Sequence, residues 1–163
     1  MPTCLERVKH FVDENGVKYE IQRHREAFTM QEVAAALHEA GAHVAKVIVA
    51  WADQKLVLLV LPASARVDFE RVRQILKVQA ARCAREEEFK HVFPDCDVGA
   101  MPPFGHFYDI PVYLDRALTA QPQIVFQAGT HRDTLKIATL DYLRLAEPTL
   151  AEFCEQPEAA AAQ

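Results

Sequence analysis

Three short stretches hold the residues whose types and spacing could do chemistry. The first is Lys46, the single charge in "VAKVIVAW", residues 44–51. Side chains alternate along a strand, so Val44, Lys46, Ile48 and Ala50 share one face and Ala45, Val47, Val49 and Trp51 the other. Both faces are apolar, as in a strand covered on both sides. A buried ammonium is costly unless it reaches a cleft or an anion; the alternative is that it snorkels out from a strand end. The second stretch is "DVGAMPPFGHF", residues 97–107, which crowds Gly99, Pro102, Pro103 and Gly105 together. Gly99 can take a positive φ and lets a ligand approach the backbone. Pro102 and Pro103 fix φ and remove two N–H groups. The product is a stiff loop with few free amides, which either aims them at a carbonyl or oxyanion or serves only as a rigid turn. The third stretch is "AGTHRDT", residues 128–134, where Gly129 marks a tight turn. His131, beside Thr130, Arg132 and Asp133, is either a general base or ribose ligand, or an exposed loop histidine.

These stretches need elements to position them. Thr3-Cys4-Leu5-Glu6 has the form of a capping box ahead of Leu5, Val8, Phe11 and Val12 at helical spacing, and Asn15-Gly16 ends that helix. Val17, Tyr19 and Ile21 alternate as a half-buried strand. Thr29-Met30-Gln31-Glu32 is a second capping box, opening a helix that stops at Gly41. The apolar runs at 43–51 and 55–61, with Asp53 between them, predict a central β-hairpin closed by Pro62. Asp68 caps a helix carrying Phe69, Val72, Ile75 and Leu76, and a charged helix is expected over 85–91. Strands follow at 111–114, 124–128 and 135–137. A C-terminal helical stretch carries Leu140, Leu143, Leu150 and Phe153, interrupted at Pro148. Helices mixed with hairpins, rather than a repeating βαβ order, predict an α+β (mixed α/β) fold.

The chain has 163 residues, half of them hydrophobic, enough for one domain with a real core. The expected boundaries are 1–155 for that domain and 156–163 for an Ala-rich disordered tail. A net charge of −5 gives no global attraction to nucleic acid, so contact must come from a local basic patch. Cys4, Cys83, Cys96 and Cys154 show no CxxC or zinc-finger spacing and read as free thiols in a reducing cytoplasm. The N-terminus has no secretory h-region, and the longest apolar run is too short to span a bilayer. Dinucleotide, P-loop and GxSxG signatures are absent, and no His/Asp/Glu cluster has metal spacing.

Taken in order, these features resemble the YbaK/EbsC family, the free-standing relatives of the editing insertion domain of bacterial prolyl-tRNA synthetases. Gly99-Ala100-Met101-Pro102-Pro103 resembles its G-x-x-x-P loop, and Lys46 its signature lysine on a central strand. "IVFQAGTHRDTLKI" (124–137) resembles the segment closing the pocket, and "DYLRLAEPTLAEF" (141–153) the C-terminal ending. The resemblance covers about residues 3–154. It implies a single YbaK-like domain with a curved mixed sheet and peripheral helices. It also implies hydrolysis of the ester joining a wrong, small amino acid to the 3′-terminal adenosine of a tRNA, prolyl-type first, without metal or cofactor. On that reading Lys46 holds the terminal phosphate or ribose, and amides near Gly99 and Ala100 hold the ester carbonyl. Met101, Pro102 and Pro103 wall the pocket; Gly129, Thr130 and His131 lie near the 3′ end. The implied partners are the tRNA acceptor end and an aminoacyl-tRNA synthetase or elongation factor, with neither membrane nor DNA. The alternative is a non-catalytic module that binds aminoacyl-tRNA, a nucleotide or a synthetase. Val47 stands where an asparagine often follows the lysine in the alanine-clearing branch, which leaves alanine, cysteine, serine, threonine or a non-protein amino acid open.

Overall fold

The computed structural model describes residues 2–23, 29–37 and 42–155. Thr3 starts helix α1 (Cys4–Glu14) by reciprocal capping: its hydroxyl accepts from Glu6 N–H and the Glu6 carboxylate accepts from Thr3 N–H, both at 3.1 Å. Val8 and Val12, one turn apart, are fully buried. Gly16, at φ +67°, turns the chain into strand β1 (Tyr19–Arg23). Thr29 and Glu32 repeat the reciprocal cap at helix α2 (Met30–Leu37). The expected stop at Gly41 and the expected tail 156–163 lie outside the described residues. Ile21, expected on the covered face of a half-buried strand, is 39% exposed, because β1 is an edge strand.

Strands β2 (Ala45–Ala52) and β3 (Lys55–Pro62) form the antiparallel hairpin, with Ala45 opposite Pro62 and Ala52 opposite Lys55. Asp53 takes the left-handed conformation in its turn, and its carboxylate accepts from the N–H groups of Gln79 and Ala80. Asp68 caps helix α3 (Phe69–Leu76) through the N–H groups of Glu70 and Arg71. Strand β4 (Ala81–Cys83) pairs with β2 and was not foreseen, since three residues are too few to show an alternation. The charged helix expected over 85–91 is split into one turn, α4 (Glu86–Phe89), and a 3₁₀ turn over Lys90–Val92. Strands β5 (Val112–Asp115), β6 (Gln123–Gln127) and β7 (Asp133–Ala138) follow. Helix α5 (Thr139–Ala146) then precedes strand β8 (Thr149–Ala151). Leu150 and Phe153 are therefore not helical: Glu147 at φ +47° and Pro148 end α5, and the chain joins the free edge of β5 in parallel.

The fold is a single α+β domain, and the one curved sheet expected is two. A three-stranded antiparallel sheet has the order β1-β7-β6; a five-stranded mixed sheet has the order β4-β2-β3-β5-β8. They meet at a parallel bridge between Val44 and Val125. Strand β2 is covered on both faces. Ala45 and Val49 join a cluster with Val8, Val12, Phe104 and Phe126, while Ala50 joins Leu59, Leu61, Val72 and Phe153 on the other side. A third cluster seats α2 on Val44 and Val125. Each leucine fully buried in these clusters contributes about 2 kcal/mol. Among the described residues no helix is long and apolar enough to cross a membrane.

Candidate functional site

The Gly99 loop and the 128–131 turn are built as one unit. Gly129 N–H donates to the Ala100 carbonyl at 2.8 Å, and Asp97 N–H donates to the Gly129 carbonyl at 2.8 Å. The turn is closed by Ala128 N–H on the Asp133 carbonyl. Thr130 holds it from inside: its hydroxyl donates to Asp133 at 2.7 Å and accepts from the N–H groups of Arg132 and Asp133. Gly129 sits at φ +98°, where a Cβ would overlap that of Cys4 and lie 2.8 Å from its sulfur. Gly99 sits at φ +88° and faces the imidazole; a Cβ there would lie 3.6 Å from His131 Cε1. Thus Gly99, Ala100, Gly129, Thr130 and His131 are brought together.

Behind this surface Met101, Pro102 and Pro103 are buried. The Pro103 carbonyl accepts from the fully buried Tyr142 hydroxyl at 2.8 Å, which ties the loop to α5. The loop amides differ in availability. Ala100 N–H is spent on the Asp97 carbonyl at 3.0 Å. Gly99 N–H rests on the Met101 thioether at 3.3 Å, a weak acceptor that a carbonyl or oxyanion outcompetes.

Lys46 leaves the opposite face of β2 from Ala45, Val47 and Val49, which pack into the cluster holding Met101. It is half-buried. Burial is the main cause that lowers the pKa of its ammonium; the neighbouring Cys154 thiol raises it and the Arg66 guanidinium lowers it further. Among the described residues no carboxylate acts on it. Val44 and Val125 pair in parallel, so Lys46 follows on the same face as Gln127, two residues on in each strand.

Gln127 is a residue the sequence reading missed. It is 3% exposed, and its Nε2 has no hydrogen-bond partner. Register places Gln127 opposite Thr134 and Thr134 opposite Gln22, a polar row across the three-stranded sheet on the face Lys46 shares. The Thr134 hydroxyl donates to the Gln22 carbonyl at 2.8 Å, while Gln22 Oε1 is buried without a partner. An unsatisfied buried amide costs about 1–3 kcal/mol, so each such group calls for a partner such as water, an ion or a ligand. The available signal was a glutamine ending the apolar run "IVF". The candidate residues therefore fall into two groups: the wall bearing Gly99 and His131, and the polar row that shares a face with Lys46.

Comparison with known proteins finds a family model, described as the aminoacyl-tRNA editing domain, matching residues 24–145. A proline–tRNA ligase of Heliobacterium modesticaldum is 32% identical over 138 residues, covering 78% of this chain and 23% of the ligase. The multifunctional Ser/Thr-tRNA deacylase ProXp-y of Escherichia coli is 30% identical over 98 residues, 60% of this chain and 58% of the deacylase. The chain thus spans less than two thirds of either curated relative. A crystal structure of a candidate trans-editing enzyme for prolyl tRNA synthetase superposes with a TM-score of 0.80 at 22% identity, covering 96% of this chain and 99% of that one.

Proposed function

The chain belongs to the aminoacyl-tRNA editing-domain family, and from that premise we propose that it hydrolyses the ester between a small, wrongly attached amino acid and the 3′-terminal ribose of a tRNA. The observation that carries this reading is the Gly99 amide. It belongs to a positive-φ turn, is held only by a buried thioether, and stands beside His131 on a wall fixed by main-chain bonds to Gly129. Water attacks the carbonyl carbon, the new C–O bond forms, and the carbonyl oxygen gathers negative charge. Gly99 N–H donates to that oxygen; a positioned donor of this kind is worth about 3 kcal/mol. The ester bond to the ribose then breaks and the ribose oxygen takes a proton.

Lys46 supplies the grip on the acceptor end. No carboxylate among the described residues shifts the pKa of its ammonium, so a phosphate or ribose of the terminal adenosine would complete it and orient the ester. Gly129, Thr130 and His131 frame the 3′ end; the Thr130 hydroxyl is occupied in holding the turn, so its part is positional. Ala100, Met101, Pro102 and Pro103 back the pocket as an unyielding wall. Size exclusion at such a wall suits editing, because binding separates small apolar side chains by only about 1–3 kcal/mol per methylene. The ligase and deacylase relatives support a tRNA substrate, prolyl-type first, and hence a cytoplasmic place of work beside a synthetase or elongation factor.

The test is a deacylation panel. tRNA(Pro) and other tRNAs charged with alanine, cysteine, serine, threonine or proline are incubated with the protein and with Lys46→Ala. Ester loss on one small amino acid, reduced in the variant, is expected. Binding of aminoacyl-tRNA without ester loss on any substrate would replace the enzyme with a binding module.

A further inference from the structure

We propose that Cys4, Asp95 and Cys96 form a zinc site behind the candidate editing site. Cys4 opens α1 and is 1% exposed; Asp95 and Cys96 lead into the Gly99 loop, more than 90 residues away in sequence. One ligand atom from each lies within 4.8 Å of the other two. In a tetrahedral zinc site with Zn–S distances of about 2.3 Å, neighbouring sulfurs stand about 3.8 Å apart. Small side-chain rotations therefore suffice to close the three onto one ion.

The surroundings are those of a ligand set. Cys96 Sγ lies 3.5 Å from Asp95 Oδ1 and 3.1 Å from the Tyr108 hydroxyl, which itself donates to Asp95 Oδ1 at 2.9 Å and lies 3.9 Å from Cys4 Sγ. Arg7 donates to the other carboxylate oxygen at 2.6 Å and to the Phe107 carbonyl at 3.2 Å. It thus orients Asp95 from the outer shell while leaving Oδ1 toward the sulfurs. A cavity of ≈ 440 Å³, lined by Pro2, Thr3, Pro94, Asp95, Cys96 and Asp97, gives an entry path and room for water as a fourth ligand. Two thiolates and a carboxylate select a thiophilic ion over magnesium or calcium. The charges balance: Zn²⁺ replaces two thiol protons, which leave to solvent, and Arg7 offsets the carboxylate before and after.

The site would act as a staple. Cys4 abuts Gly129, and Asp97, next to Cys96, donates to the Gly129 carbonyl. An ion held by Cys4, Asp95 and Cys96 joins the start of α1 to the root of the Gly99 loop and stiffens the 128–131 turn between them. This inference is independent of the deacylase reading.

The test loads the reduced full chain with Co²⁺, then Zn²⁺. One Co²⁺ per chain is expected, with thiolate-to-cobalt charge-transfer absorption and intense tetrahedral d–d bands, all removed by Zn²⁺. Cys4→Ser and Cys96→Ser should each lose the charge-transfer bands while keeping the native circular dichroism; Cys83→Ser and Cys154→Ser should keep them. Zn²⁺ should raise Tm in the parent chain but not in Cys96→Ser. A folded parent without charge-transfer absorption, bands that survive both Cys4→Ser and Cys96→Ser, or one ion per two chains would overturn the proposal.

Discussion

Gly129 N–H donates to the Ala100 carbonyl at 2.8 Å, across a contact in which Gly129 has no room for a side chain. With the bond from Asp97 N–H to the Gly129 carbonyl, it fixes where the Gly99 loop stands relative to His131. Gly129→Ala must accommodate both a φ of +98° and overlap with Cys4. A loss of about 2–4 kcal/mol in urea unfolding is expected. Gly99→Ala meets only ordinary contact at 3.6 Å from His131, so its cost is the positive φ alone, about 1–2 kcal/mol. The two variants should therefore separate: Gly129→Ala loses chiefly stability, Gly99→Ala chiefly deacylation. Equal unfolding losses would remove Cys4 packing as the cause.

Tyr142 is the second tie on the loop. Its hydroxyl is fully buried against the Pro103 carbonyl, and burial raises its pKa, keeping it a donor at every physiological pH. Tyr142→Phe leaves that carbonyl unsatisfied, at about 1–3 kcal/mol. Chemical denaturation measures the loss. With the Pro103 backbone freed, discrimination between small and larger aminoacyl groups should also narrow in the deacylation panel.

Much of this frame was legible in local sequence. The caps at Thr3/Glu6 and Thr29/Glu32 and the hairpin about Asp53 are short-range patterns, each complete within about ten to twenty residues. What stayed hidden depends on pairings far apart in sequence. Strands β4 and β8 have three residues each, and β8 exists because β5 offers a parallel edge. Gln127 lies on the face of Lys46 because Val44 meets Val125 across 80 intervening residues, and Cys4 meets Cys96 only through the fold. The Gly99 and Ala100 amides looked alike in sequence; the Asp97 carbonyl distinguishes them. The resemblance supplied the order of the motifs, but no periodicity could supply these contacts.

Acid titration reports on the α4 turn. The Glu88 carboxylate takes a bidentate pair from Arg82 at 2.8 and 3.0 Å and a bond from Arg85 N–H at 2.7 Å. Arg82 first, and the Arg85 amide second, lower its pKa from 4.5 to about 2. A depressed carboxylate stabilises the fold above its unfolded pKa, and that contribution is lost as pH falls from about 4.5 through about 2. Carboxyl-carbon NMR should give a Glu88 midpoint near 2 in the parent chain. In Arg82→Ala the midpoint should move up toward 4.5; no movement would assign the shift to the Arg85 amide.

Lys46 sets function against stability. Burial lowers its pKa, so the folded state resists the charged form. Below the depressed folded pKa both folded and unfolded chains carry the proton, and the full penalty is present. As pH rises from there toward 10.5 the unfolded chain binds more protons than the folded one, stability gains, and the penalty fades. Lys46→Met removes the charge but keeps an apolar stem of similar reach. Its urea midpoint should therefore exceed that of the parent at neutral pH, and the difference should shrink as pH approaches 10.5. Deacylation should move the other way. A charged hydrogen bond to phosphate or ribose is worth about 1.5–3 kcal/mol, so kcat/KM should fall about 10- to 100-fold. Because one phosphate contact is lost, the salt dependence of tRNA binding should flatten by about one unit of log–log slope. Lys46→Arg keeps the charge and should keep the salt slope, though its planar fork is a poor match for a point contact. A Met variant that is more stable, equally active and unchanged in salt slope would make Lys46 a snorkelling residue with no hold on the substrate.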